Sequence, residues 1–173
     1  MKLAAINKKQ YRMMNNRVQL GLVAILAILS VVFGQVLIAF WGAEAMPDGS
    51  TGNFNLNLLG VILAVMVCTV LVRVNRNKPL FFEVYYVWQV KQLQNKIFKK
   101  LAAIQSAAKD DNQDALIILL FYYQSLAMVY ELDDNTLTMS KVNAELEQVQ
   151  NQIDSLNLGI TADDFEESLL GKF

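Results

Sequence analysis

Residues 18–41 read VQLGLVAILAILSVVFGQVLIAFW, without one charged side chain. At about 1.5 Å of rise per residue the run makes a helix of about 36 Å, enough to cross a hydrocarbon core of about 30 Å with some tilt. Downstream, residues 56–74 read LNLLGVILAVMVCTVLVRV. This second run is shorter, and Arg73 lies near its end, where a long cationic side chain reaches the headgroups. The two runs together predict a transmembrane hairpin with spans 18–41 and 56–74.

The flanks give the hairpin an orientation. Lys2, Lys8, Lys9, Arg12 and Arg17 precede the first run, and Arg73, Arg76 and Lys78 close the second. The intervening loop, 42–55, holds Glu44 and Asp48 but no Lys or Arg. By the positive-inside rule both termini are expected in the cytoplasm and the loop outside. Pro47, Gly49 and Gly52 make that loop a turn. Arg17, Trp41, Arg73, Arg76, Lys78 and Trp88 are the residues expected at the membrane interface. A cleaved signal peptide is the rival reading, since Ala43-Glu44-Ala45 has small–x–small spacing. The apolar run is too long for the usual hydrophobic core of such a peptide, so an uncleaved anchor is expected.

Within the spans, Ser30 and Gly34 are four residues apart and Gln35 follows. Small residues at that spacing let helices approach closely, and an intramembrane amide can bond across an interface. They are read as span packing or as contact with a partner or second copy. No Asp, Glu or Lys interrupts either run, so the marks of a proton relay are missing.

Composition agrees with a membrane chain. Of 173 residues 54% are hydrophobic, above the usual range of about 45–50%, and mean hydropathy is +0.30. The net charge of −1 does not call for nucleic acid. The aromatic and Lys-rich stretch from Leu80 is read as interfacial packing with a solvated basic face, not as a nucleic-acid surface.

The remaining residues, 75–173, are expected to form a cytosolic helical domain behind a basic cytosolic N-terminus of residues 1–17. Pro79 suits a helix start, and 80–108 reads as one long helix. The segment KDDNQD at 109–114 is a turn that lacks the glycine and glutamate of a calcium loop. Residues 115–132, ALIILLFYYQSLAMVYEL, are apolar nearly all round, and so form either a buried central helix or a third span. The first is preferred, because Tyr122, Tyr123, Gln124 and Ser125 would otherwise sit at mid-membrane. From Met139 an uninterrupted three-and-four spacing follows, with Val142, Leu146, Val149, Ile153 and Leu156 as the seam of a helix ended by Gly159. A last short helix, 162–170, starts at Thr161 with Asp164 three residues on. The fold class is thus an all-α membrane protein: a two-helix transmembrane hairpin, then a cytosolic three- to four-helix bundle.

Chemistry is sparse. Histidine is absent and Cys68 is the single cysteine, which removes the commonest metal ligand and general base and any internal disulfide. No nucleotide loop, metal cluster or nucleophile–base pair can be assembled. The pairs Asp110/Asp111, Asp133/Asp134, Asp163/Asp164 and Glu166/Glu167 fall in turns, where they cap helices. No cofactor and no enzymatic activity are expected. A non-enzymatic accessory or scaffold protein, binding membrane lipid and a protein partner or itself, is preferred over a transport or channel component with pore-lining hairpins.

Residues 83–93, EVYYVWQVKQL, with Phe121-Tyr122-Tyr123 and Leu132-Asp133-Asp134-Asn135-Thr136, resemble a family of small two-span bacterial inner-membrane proteins known only as a domain of unknown function. The likeness runs from the basic N-terminus to about Leu137. It implies a multi-pass protein of a gram-negative inner membrane and carries no functional residue.

Overall fold

The computed structural model describes residues 2–43 and 52–173, and of Pro79 and Leu80 the backbone alone. Most of the turn expected around Glu44, Pro47, Asp48 and Gly49 therefore lies outside the described residues. Among those described there are six α-helices and no strand: α1 (Lys8–Trp41), α2 (Phe54–Asn75), α3 (Pro79–Phe98), α4 (Leu101–Lys109), α5 (Gln113–Leu132) and α6 (Met139–Ser155). Two short 3-10 turns, Ala162–Asp164 and Glu167–Lys172, complete the chain. Three helices, α1, α2 and α5, are long and apolar enough to cross a membrane.

The residues fall into two compact units, Met1–Arg12 with Glu83–Phe173, and Met13–Phe82. In the first, α5 is the centre. Ala115, Leu116, Ile118, Leu120 and Phe121 are all but inaccessible, surrounded by Ile97, Ile104, Val149, Ile153 and Phe165. An apolar helix with no polar stripe needs partners on every side, and the amphipathic α4 and α6 provide them. The seam residues Val142, Val149 and Ile153 are buried, and Leu146 and Leu156 are half-buried against the same core. A second cluster gathers Tyr86, Val87 and Val90 of α3, Val129 and Leu132 of α5, and Tyr11.

Three helix ends share one device. Asp111, Asp134 and Asn157 have φ of 57°, 54° and 52°. In each case the following N–H reaches five residues back, from Asn112 to Ala107 (3.2 Å), Asn135 to Tyr130 (2.8 Å) and Leu158 to Ile153 (3.1 Å). This is the closing pattern in which glycine usually takes the left-handed position, and Asp or Asn tolerates it. The expected stop at Gly159 thus comes two residues earlier, at Asn157.

Two further expectations are corrected. Residues 80–108 are two helices, because the chain tightens at Lys100 (φ −115°). Ile97 and Ile104, on either side of the break, are both fully buried in the core, and Lys100 Nζ donates to the Leu170 carbonyl at 2.7 Å. The last helix, 162–170, is replaced by the two 3-10 turns. Phe165 between them is extended (φ −67°, ψ 123°), so that its ring stacks on Phe121, with centroids 4.1 Å apart.

In the second unit α1 and α2 touch through glycine. Gly34 and Gly60 are buried, and a Cβ built on Gly60 would meet the Gly34 nitrogen at 2.6 Å. Ala64 is also buried, and the Asn53 side chain accepts the Ala43 N–H at 3.0 Å. The outward faces are apolar: Val23, Ile28, Val31, Phe40, Val65 and Val70 are all exposed.

Candidate functional site

The densest polar network among the described residues surrounds the turn after α5. The αL position at Asp134 ends the helix and presents two successive carboxylates. Asp133 accepts from Lys91 Nζ at 2.7 Å and, weakly at 3.4 Å, from the Tyr11 hydroxyl. Asp134 pairs with Lys8 at 2.5 Å and with Arg12. Lys8 and Arg12 are one helical turn apart at the start of α1, so one carboxylate serves both.

The electrostatics follow from this placement. The Lys8 ammonium, with Arg12 beside it, holds the Asp134 carboxyl below its usual range. Burial, reinforced by the Asp133 charge, pushes the Tyr11 hydroxyl up to about 12. Tyr86 is raised by burial as well, although its oxygen accepts the Ala4 N–H at 2.7 Å. The same hydroxyl donates to the Lys2 carbonyl at 3.0 Å. Residues 2–12 thus lie along α3 and the α5 turn, an arrangement the sequence does not announce.

A second polar feature sits over α5. The Tyr123 hydroxyl accepts from Gln105 at 3.0 Å and donates to Glu145 at 3.3 Å, bridging α4 to α6. Shallow grooves of about 240 and 300 Å³ flank that bridge. Below, Gln94 Nε2 donates to Ser125 Oγ (3.1 Å), which itself donates to the Tyr122 carbonyl, so both buried polar side chains are satisfied.

The residues singled out from sequence take the following places. The Ser30 hydroxyl donates to the Leu26 carbonyl of its own helix at 2.7 Å, and Thr69 does the same with Val65 at 2.8 Å. Gly34 lies in the contact with α2, whereas the neighbouring Gln35 is exposed. Trp41 is exposed at the end of α1, and the exposed Trp88 stacks on Tyr85 with centroids 5.5 Å apart. Arg17, Arg73 and Lys78 are exposed and Arg76 is half-buried. Of the paired carboxylates Asp164 caps, accepting the Thr161 N–H, which lowers its pKa, whereas Asp133 and Asp134 follow the end of α5 and, like Asp163 with Lys2 and Glu167 with Lys96, make ion pairs. No group of three or more Cys, Asp or Glu among the described residues is placed to hold a metal.

The sequence matches, over residues 1–170, the family described as Protein of unknown function (DUF3087). The chain belongs to that family. The DUF3087 match extends past Leu137 through α6 and the first 3-10 turn and ends within the second, so it takes in nearly all of both units. No curated protein and no solved structure matches the chain.

Proposed function

We propose that this DUF3087 protein is an integral protein of a bacterial inner membrane, with α1 and α2 crossing as a hairpin and the first unit forming its cytosolic helical domain. One observation carries the reading. The most apolar windows of α1 and α2 are 6% and 11% buried within the protein, whereas that of α5 is 67% buried. Each large apolar side chain left in water forgoes roughly 1.5–3 kcal/mol of transfer free energy. A long helix pair that turns such side chains outward is suited to lipid, and α5 is suited to a protein core. The basic residues at 2–17 and 73–78 favour cytoplasmic termini.

Within that frame the protein serves as a non-enzymatic accessory or scaffold protein that binds a protein partner or a second copy. Asp111, Asp133, Asp134, Asp163, Asp164 and Glu167 are taken up by hydrogen bonds and ion pairs, and Gln35 of α1 is exposed. An amide facing hydrocarbon gains by bonding across a helix interface. Solubilisation from native membranes in mild detergent should yield a stoichiometric complex or an oligomer, weakened by Gln35→Leu. A partnerless monomer would count against it. The exposed Gln35 is also what a pore-lining role would rest on, and flux into liposomes that survives Gln35→Leu removes that second reading.

A further inference from the structure

Besides the Tyr86 hydroxyl, which bonds the Ala4 N–H and the Lys2 carbonyl, the segment ahead of α1 and the start of that helix are held by apolar and by ionic contacts. Leu3 packs on the main core, and Ile6 and Tyr11 pack on the second cluster over Tyr86, Val87, Val90, Val129 and Leu132. The ionic contacts are Lys2–Asp163 at 3.3 Å, Lys8–Asp134 and Arg12–Asp134. Their side chains are 42–79% exposed on the basic side and 44–52% on the acidic side. Exposed pairs of this kind are weak, and salt screens them once the Debye length falls from about 10 Å at 0.1 M to about 3 Å at 1 M. The α4–α6 core is closed instead by apolar contact among Leu116, Ile118, Phe121 and Phe165, with the ion pairs Lys96–Glu167 and Lys172–Asp114 confined to its rim.

We infer that residues 2–12 form a releasable strap, with Asp134 as its catch, which lifts off the second apolar cluster while the main core stays folded. Releasing it would uncover the face formed by Tyr86, Val87, Val90, Val129 and Leu132. Local opening of a chain end without global unfolding is the expected behaviour where few apolar contacts and several screened pairs hold a segment. Both cations of the catch stand in the first five residues of α1, so the strap's state reaches the start of that helix directly. The inference rests on contacts inside the first unit and not on membrane insertion.

Hydrogen–deuterium exchange on the full chain in mild detergent tests it, at low salt and at about 1 M salt. Asp134→Asn provides the variant, because Asn also tolerates the left-handed backbone at that position. Amides of residues 4–11 should exchange about three- to tenfold faster in D134N, which weakens two exposed pairs, and at least as much faster in high salt, which screens all three. Those of α5 and α6 should not change. Strap exchange indifferent to salt, or strap and α5 accelerating together, would overturn the inference. If D134N does not fold, the salt comparison on the unaltered chain decides alone.

Discussion

The backbones of Gly34 and Gly60 are in direct contact, and the two glycines are not equivalent. A methyl group on Gly60 would meet the Gly34 backbone nitrogen at 2.6 Å, whereas one on Gly34 would meet the Asn57 side-chain oxygen at 2.9 Å. Backbone cannot move aside as a side chain can. Gly60→Ala should therefore weaken the α1–α2 pairing by about 1–3 kcal/mol, with Gly34→Ala clearly milder. Thermal unfolding of the two variants in detergent compares them, and equal losses would argue against this contact.

Tyr86 satisfies two backbone groups of the N-terminal segment through one hydroxyl, accepting from Ala4 and donating to Lys2. Tyr86→Phe keeps the ring in its cluster and removes both bonds. A loss of about 1–3 kcal/mol is expected, from two hydrogen bonds at about 0.5–1.5 kcal/mol each. It should appear in chemical denaturation, and exchange at the Ala4 amide should rise with it.

Alkaline pH should loosen the same region. The Tyr11 hydroxyl has its pKa raised from 10.0 to about 12, first by burial and then by the neighbouring Asp133. A raised folded-state value favours the protonated form. Its contribution is complete below pH 10 and is lost as pH climbs toward 12. An ultraviolet titration of the unaltered chain against Tyr11→Phe should show the loss of one late-titrating hydroxyl. A titration unchanged by that replacement would contradict the assignment.

At Asn157 the left-handed backbone, with φ of 52°, makes a sharper prediction than side-chain contacts would. Asn157→Gly should leave stability unchanged or slightly raised, while Asn157→Ala should cost about 1 kcal/mol. Thermal melts of both variants read the difference directly.

How far the sequence reached depends on the range of the interaction. The charge-free run at 18–41 and the apolar α5 announce helices because their signal is local and repeated. The break at Lys100 is silent: no Gly or Pro marks it, and the Leu170 carbonyl that Lys100 Nζ reaches lies 70 residues away in sequence. Phe165 likewise leaves helix only because Phe121, far away in sequence, receives its ring. The Asp134 network was the least legible. Lys8 and Arg12 read as topology signals and the aspartates as caps, and their meeting joins positions 122 residues apart. The seam from Val142 to Ile153 was plain from its spacing, but its end at Asn157 depended on a backbone conformation that spacing does not encode.

The central claim is that lipid, not water, is the solvent of α1 and α2. Membranes from cells making the full chain can be washed with alkaline carbonate, which strips peripheral proteins, and then centrifuged. The protein should remain in the pellet and come out only with detergent. Recovery in the detergent-free supernatant as a compact monomer by size exclusion would contradict the account.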